Sequence, residues 1–386
     1  MSRLSRISRP PRVAAIAVLL LSTAVFWYTA YPTITWWDSS SYSLAAATMG
    51  IGSPPGSLLL TLLGWPVARL SFGTSPAHEL ILFAGVLAAV TAMLVCVVAL
   101  RMLKAAERNA YAAYVAQPAH APPDRGAAMG MATGVALGSL AFAFGSTPWS
   151  YAVRFTPYVL SAVFTGLILF TMLRWWEDAD GPSAWRWLAW LGFLFGLDFS
   201  VHRTNALLIP GAIVWILLRK ASTLRSPRAV LASAGALSAG LAVQFLVIPI
   251  AVFTRSPLDF ADPSTISSFR DYVTLQQLGG SFLLQLFPRK SPILSVQTAD
   301  LLHVLGDNFA NVTWRIGVFG VLPALAALIG LVALWRGDRR IGAAYLLVLL
   351  IHGLMTVLYF NIPANYFRTF DRHYLPVCVT IAVLVA

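Results

Sequence analysis

Asp38, Arg154, His202, Arg203 and Arg372 are the residues of this chain whose types and settings could do chemistry. Asp38 follows Trp36 and Trp37 at the end of an apolar run. Its carboxylate would sit at a membrane interface, where it can take a proton or bind a cation. The plainer reading is a helix cap, because Asp is favoured just ahead of a helical stretch such as 39–49; one residue can do both. Arg154 lies between Pro148 and Tyr158 at the start of another apolar run. It reads either as an arginine snorkelling to the interface or as a bidentate clamp on a phosphate. His202, Arg203, Thr204 and Asn205 fall between two short apolar runs, with Asp198 one helical turn ahead of His202. Polar groups this dense near a bilayer are costly unless paired or facing water. Asp198 could pair with Arg203; otherwise His202 and Arg203 are available to a ligand. Asp371-Arg372-His373-Tyr374 opens the last apolar run, as an interfacial ion pair with an aromatic anchor or as a second phosphate contact through Arg372.

The apolar runs must position these side chains. Of 386 residues, 58% are hydrophobic and only 11% charged, against roughly 25% charged in soluble domains. Too little polar surface remains to cover the chain in water, so lipid is its solvent. A span needs about 20 apolar residues. Candidate spans are 13–31, 78–103, 127–145, 157–176, 185–200, 205–219, 228–253, 313–335, 341–360 and 374–386. Bulky Phe26, Trp27 and Tyr28 close the first run where a cleaved leader would carry small residues, so it reads as an uncleaved span. The last run is cut short by the chain end, which leaves a longer natural chain open. The fold class is therefore an all-α polytopic membrane protein, with residues 1–386 forming one transmembrane domain of about ten helices.

Most of the 27 Lys and Arg residues fall on one side if the N-terminus is cytoplasmic, and the positive-inside rule supports that orientation. It places 32–77, 146–156, the 200–204 knot, 254–312 and 361–373 on the outer face. In the first outer loop, Asp38 heads a short helix over 39–49. Pro54-Pro55-Gly56 then forces a turn, and 57–71 forms a second juxtamembrane helix. In 254–312, Asp262 or Ser264 could cap a helix running through Tyr272 and Gln277, with Arg289 and Lys290 beyond.

The net charge of +12 does not indicate nucleic acid, because the basic residues sit at the ends of apolar runs and form no stripe. Cys96 and Cys378 lie inside apolar runs and read as packing residues. No Walker, dinucleotide or zinc spacing occurs, and Asp38 has no acidic residue two positions on. No metal and no cofactor is expected. An outer-face enzyme, where nucleotides are scarce, needs a donor already in the membrane, and a polyprenyl-phosphate sugar fits.

The stretch from Pro32 through Trp37-Asp38-Ser39 and Ala45 to Ser53-Pro54-Pro55-Gly56 and Leu62 to Gly64 resembles the first loop of the bacterial domain-of-unknown-function 2723 membrane proteins. Their eukaryotic relative is transmembrane protein 260, a protein O-mannosyltransferase. Trp149 to Leu160, Val201 to Thr204, Asp262 to Thr265 with Phe269 and Tyr272, and Asp371 to Pro376 extend the likeness in family order. The family in turn resembles the GT-C glycosyltransferases: a helical bundle with two juxtamembrane helices in the first outer loop and a catalytic acidic residue near its start.

That resemblance implies Asp38 as the base, with Trp37, Ser41, Ser53, Pro54, Pro55 and Gly56 as the first-loop motif. It also implies a bacterial inner-membrane setting with the site on the periplasmic face. The donor would be polyprenyl-phosphate-linked mannose and the acceptor a Ser/Thr hydroxyl on an exported protein, or a glycan. Arg154, His202, Arg203 and Arg372 are the candidates to hold the donor phosphate and sugar, with Tyr158, Asp371 and Tyr374 beside them. Three positions depart from the family: Ser41 and Thr156 stand where it usually has Glu, and Ser53 where it has His. Asp38 is then the only acidic residue of the first-loop motif. A transporter or flippase of a lipid-linked sugar, or a catalytically degenerate family member, stays open as the alternative.

Overall fold

The computed structural model describes residues 9–35, 38–52, 57–70, 73–115, 125–254, 256–276, 291–310, 321–360, 363, 365 and 371–386. Helices dominate. They are α1 (Arg9–Tyr28), α2 (Ser39–Thr48), α3 (Leu58–Val67), α4 (Pro76–Val115), α5 (Arg125–Ala143), α6 (Ser146–Ala152), α7 (Pro157–Asp178) and α8 (Ala184–Asp198). They continue as α9 (Ile209–Lys220), α10 (Pro227–Ala242), α11 (Val247–Phe253), α12 (Ile266–Val273), α13 (Ala299–Phe309), α14 (Leu322–Gly337), α15 (Arg339–Phe360) and α16 (Leu375–Val385). Among the described residues there is no strand, only a single parallel bridge between Ile51 and Asp259.

Among the described residues, seven helical stretches are long and apolar enough to cross a membrane: Pro10–Tyr28, Pro76–Glu107, Gly126–Ala143, Pro157–Asp178, Thr204–Arg225, Pro227–Phe253 and Arg339–Phe360. Each matches one of the expected spans. The other three are shorter as helices. The run 185–200 stops at Asp198, after 15 residues, or about 22 Å at 1.5 Å per residue, against a hydrocarbon core of about 30 Å. The run 374–386 gives the 11 residues of α16. The run 313–335 gives the 16 residues of α14, its first part lying outside the described residues.

The packing explains which helices sit centrally. α7 and α16 are buried along nearly their whole lengths, and both pack on α4. α10 and α14 instead show most of their apolar side chains to the surroundings, as lipid-facing helices do. α8 and α10 approach very closely: a Cβ added at Gly192, Gly196 or Gly240 would collide with the facing backbone. Small residues are what permit helices in lipid to pack this tightly. That contact anchors α8 just before the knot at its end.

One end of the bundle, called here the far end, closes on its own ion pairs. Glu177 meets Arg101 at 3.0 Å and Arg174 at 2.6 Å. Asp180 meets Arg219 at 2.6 Å and Lys220 at 2.9 Å. The opposite end gathers α2, α3, α6, α12 and the turns before α9 and α16.

Candidate functional site

Asp38 heads α2 in helical geometry, but its side chain makes no capping hydrogen bond. The side-chain cap expected of Asp38 therefore does not form. The Asp38 carbonyl accepts the Tyr42 amide at 3.0 Å and the Ser41 hydroxyl at 2.8 Å. Its carboxylate, half-buried, instead acts on neighbours. Burial first, then Tyr158 and Asp38, push the Tyr42 hydroxyl pKa up. Tyr42 is buried on the inner face of α2 with Ser39, Ser43, Ala45 and Ala46.

Contacts from distant sequence brace the first loop. The Ile51 amide donates to the Leu258 carbonyl at 2.9 Å, and the Phe260 amide donates back to Ile51 at 3.1 Å. Thr48 and Ser256 share a 2.7 Å hydroxyl contact. The Tyr272 hydroxyl donates to the Gly52 carbonyl at 2.9 Å. On the other side, the Leu59 amide donates to the Ser200 carbonyl at 3.0 Å. Both flanks of the Pro-Pro-Gly block are thus pinned; Ser53, Pro54, Pro55 and Gly56, like Trp37, lie outside the described residues. α12 begins later than expected. Thr265, in place of Asp262 or Ser264, caps it, with its hydroxyl accepting the Ser268 amide at 3.1 Å in a capping box. Gln277, Arg289 and Lys290 also lie outside the described residues.

Tyr158, at the start of α7, is the hub of the site. Its hydroxyl accepts from Arg372 Nε at 3.0 Å. Its ring meets His202 at 4.7 Å, His373 at 5.2 Å and Tyr151 at 5.7 Å between centroids. Burial works against the Arg372 charge, yet Tyr158, Tyr151 and Asp38 outweigh it and its pKa is raised. Asp371 Oδ1 accepts the Tyr151 hydroxyl at 3.0 Å and the Arg372 backbone amide at 2.9 Å. It holds the turn, and the guanidinium goes to Tyr158. Arg154 stands over the Tyr151 ring at 5.7 Å, with its Nε buried and lacking a hydrogen-bond partner.

His202 is a neutral imidazole. Burial, then the Arg372 and Arg203 charges, push its pKa down from 6.5 to about 3, and its Nδ1 meets the Thr204 hydroxyl. His373 is pushed down by burial, then by His202 and the Arg372 charge. Neither can serve as a cation at neutral pH. Arg203 is only 5% exposed, its Nε has no hydrogen-bond partner, and burial lowers its pKa. The simple pairing of Asp198 with Arg203 is not what forms: Asp198 accepts from Asn205 instead, at 3.0 Å from its Nδ2. Among the described residues, neither Arg154 nor Arg203 makes an ion pair with a carboxylate.

The family model for the N-terminal domain of Protein O-mannosyl-transferase TMEM260 matches residues 38–226. Mouse Protein O-mannosyl-transferase TMEM260 is 25% identical over 269 residues, which cover 69% of this chain and 34% of the relative. This chain is similar to TMEM260 over that region. It spans about a third of the length of that curated relative, and no solved structure matches it. The region matched by the TMEM260 model opens on Asp38 and takes in Arg154, Tyr158, His202 and Arg203, while Arg372 lies beyond it.

Of the residues singled out from the sequence, the structure brings Asp38, Tyr158, His202, Arg203, Arg372 and Asp371 into one neighbourhood, with Arg154 at its edge. Ser41 folds back on the start of α2. Tyr374 turns away: it is fully buried and donates to Asp300 Oδ2 at 2.9 Å. Sequence reasoning missed Tyr42, Tyr151 and His373 and gave Tyr272 no role in the site. Two of them carried a signal, Tyr42 one helical turn after Asp38 and His373 directly after Arg372.

Proposed function

We propose that this chain is a membrane glycosyltransferase that moves a sugar from a polyprenyl-phosphate donor to a hydroxyl acceptor with inversion, using Asp38 as base. The observation that carries the reading is the charge arrangement. An uncapped carboxylate at the head of α2 shares one end of the bundle with Arg372, whose charge it helps to hold, and with Arg154 and Arg203, which make no ion pair with a carboxylate among the described residues. Mannose is the sugar and an exported protein Ser/Thr hydroxyl the acceptor by kinship with TMEM260. The basic ion-paired far end faces the cytoplasm under the positive-inside rule, so the site opens on the outer face of the bacterial inner membrane.

In the reaction the acceptor oxygen attacks the anomeric carbon from the face opposite the phosphate. The bond from that carbon to the phosphate oxygen breaks, and polyprenyl phosphate leaves with the electron pair. Asp38 takes the acceptor's proton, a contribution of roughly 10²–10⁴ in rate for a well-placed base. The negative charge growing on the leaving oxygen is met by the arginines, whose fixed positive groups stabilise the transition state without reorganising. The same charges do the work a metal ion does elsewhere, so no metal is invoked. His202, being neutral, suits a sugar hydroxyl better than a phosphate.

Asp38→Asn tests the reading. It is isosteric and keeps the backbone contacts to Ser41 and Tyr42. Transfer should be lost while the protein still inserts and binds the lipid donor. Full activity in that variant would overturn the assignment.

A further inference from the structure

The segment from Ser256 to Leu275 grips the first outer loop more tightly than a surface connector would. Residues 256–260 lie along 48–52, and a Cβ added at Gly50 would fall 2.5 Å from Ser256 Oγ and 2.6 Å from the Leu258 carbonyl oxygen. The chain then turns into α12. Phe269 and Tyr272 are three residues apart and share one face of that helix. That face is buried, while Ile266, Ser267 and Arg270 are exposed. Phe269 and Tyr272 pack with Ile51, Leu58 and Val247 in a cluster apart from the main core.

Holding α12 there strains the backbone. Among the described residues, the non-glycine residues with positive φ are Met49, Arg203, Ala261, Asp262 and Leu275. Three of them flank α12: Ala261 at 70° and Asp262 at 38° before it, and Leu275 at 61° after it. Alanine and leucine enter the left-handed region only where their surroundings compel them, and such strain gathers at sites where geometry must be held. What these turns hold in place is Tyr272. It is 2% exposed, and its hydroxyl donates to the Gly52 carbonyl at 2.9 Å. A Cβ added at Gly52 would lie 3.7 Å from two carbons of the Tyr42 ring, so Gly52 rests on Tyr42. Tyr42 stands one helical turn after Asp38, whose carbonyl accepts its amide at 3.0 Å. A short path thus runs from the Tyr272 hydroxyl through Gly52 and the Tyr42 ring to the head of α2.

We propose that Tyr272 is a positioning residue for Asp38: its hydroxyl fixes Gly52, and with it the Tyr42 ring and the head of α2, where Asp38 can reach the acceptor. This rests on the reading of Asp38 as the base. Tyr272 lies beyond residues 38–226, the region matched by the TMEM260 model, so the first loop depends on a segment far along the chain. Packing alone makes a different prediction. The Tyr272 ring fills its cluster with or without the hydroxyl, and Tyr272→Phe would then turn over like wild type. Under the positioning role turnover falls although the fold holds, because displacing a reacting group by about 1 Å can cost about 10²-fold.

The deciding experiment is steady-state transfer from labelled polyprenyl-phosphate mannose to exported proteins by the purified full chain in detergent, for wild type, Tyr272→Phe and Asp38→Asn. Melting temperature and binding of sugar-free polyprenyl phosphate are measured on the same samples. Tyr272→Phe should lower kcat about ten- to a hundredfold, while the donor KM, lipid-phosphate binding and melting temperature stay near wild type. A wild-type kcat in Tyr272→Phe overturns the positioning role and leaves Asp38 as the base. So does a kcat that falls only together with the melting temperature, or a loss carried by the donor KM. If Asp38→Asn transfers at the wild-type rate, or wild type transfers nothing, the reading of Asp38 itself falls and takes this inference with it.

Discussion

The two ends of the bundle use their carboxylates in opposite ways. At the far end Glu177 takes Arg101 and Arg174, and Asp180 takes Arg219 and Lys220, all at 3.0 Å or less. At the site end Asp198 is spent on Asn205, Asp371 on Tyr151 and a backbone amide, and Asp300 on Tyr374. Arg372 reaches a phenol, Arg154 stands over a ring, and Arg203 is buried with its Nε unpartnered. Arg270 and Asp271 do pair at this end, but as sequence neighbours on exposed α12. At the far end the carboxylates go to basic side chains while other arginines on that side, such as Arg186, Arg225 and Arg228, are exposed; at the site end Asp198, Asp300 and Asp371 go to neutral partners, and Arg203 stays buried with no ion pair among the described residues. Uncompensated charge in a protein that could have paired it points to function more strongly than the presence of arginines does.

That contrast can be broken by substitution. The largest effect is expected from Arg372→Gln, which removes the cation nearest the Asp38–Tyr158 pair. Transfer should fall about 10²–10³-fold, as when an electrostatic stabiliser of a transition state is lost, with the melting temperature in detergent nearly unchanged. Tyr158→Phe keeps the ring and deletes only the hydroxyl that receives Arg372 Nε. It should cost about tenfold in kcat, read in the same assay.

The neutral histidines give a pH signature. His202 is near pKa 3 in the fold against 6.5 when free, so the unfolded chain binds a proton that the native one does not throughout that window. The stability this contributes is full above pH 6.5 and declines as pH falls toward 3. Melting curves should shift down across that range, and His202→Gln should flatten the dependence, leaving the share owed to His373. The smallest effect belongs to the far end. Glu177→Gln removes a partly exposed carboxylate shared by two arginines; stability should change by about 1 kcal/mol or less, and transfer should not change. A large loss of transfer in that variant would erase the distinction between the ends.

Much of this was legible in the sequence. Apolar runs gave the spans, and among the described residues seven of them are helices long and apolar enough to cross. Asp38, Tyr158, Arg203 and Arg372 stood out because charged and aromatic groups at the ends of apolar runs have few plain explanations. The bracing of the site was not legible. Tyr272 and Gly52 meet across 220 positions, and Tyr151 and Asp371 likewise across 220, separations that leave no local pattern. The knot was half legible. Its polarity showed, but the natural guess paired Asp198 with Arg203, the opposite charge nearest to it in sequence. Only the left-handed turn and the cross-helix hold on Asn205 by Ser161 and Thr165 reveal that they do not pair.

Sugar transfer by the purified chain tests the central claim most directly. Polyprenyl-phosphate mannose labelled in the sugar would be incubated with the protein and a set of exported proteins. The account predicts label in protein through a Ser/Thr linkage, with the anomeric configuration inverted relative to the donor. Label that stays on the lipid, or only crosses the bilayer in reconstituted vesicles, would contradict it.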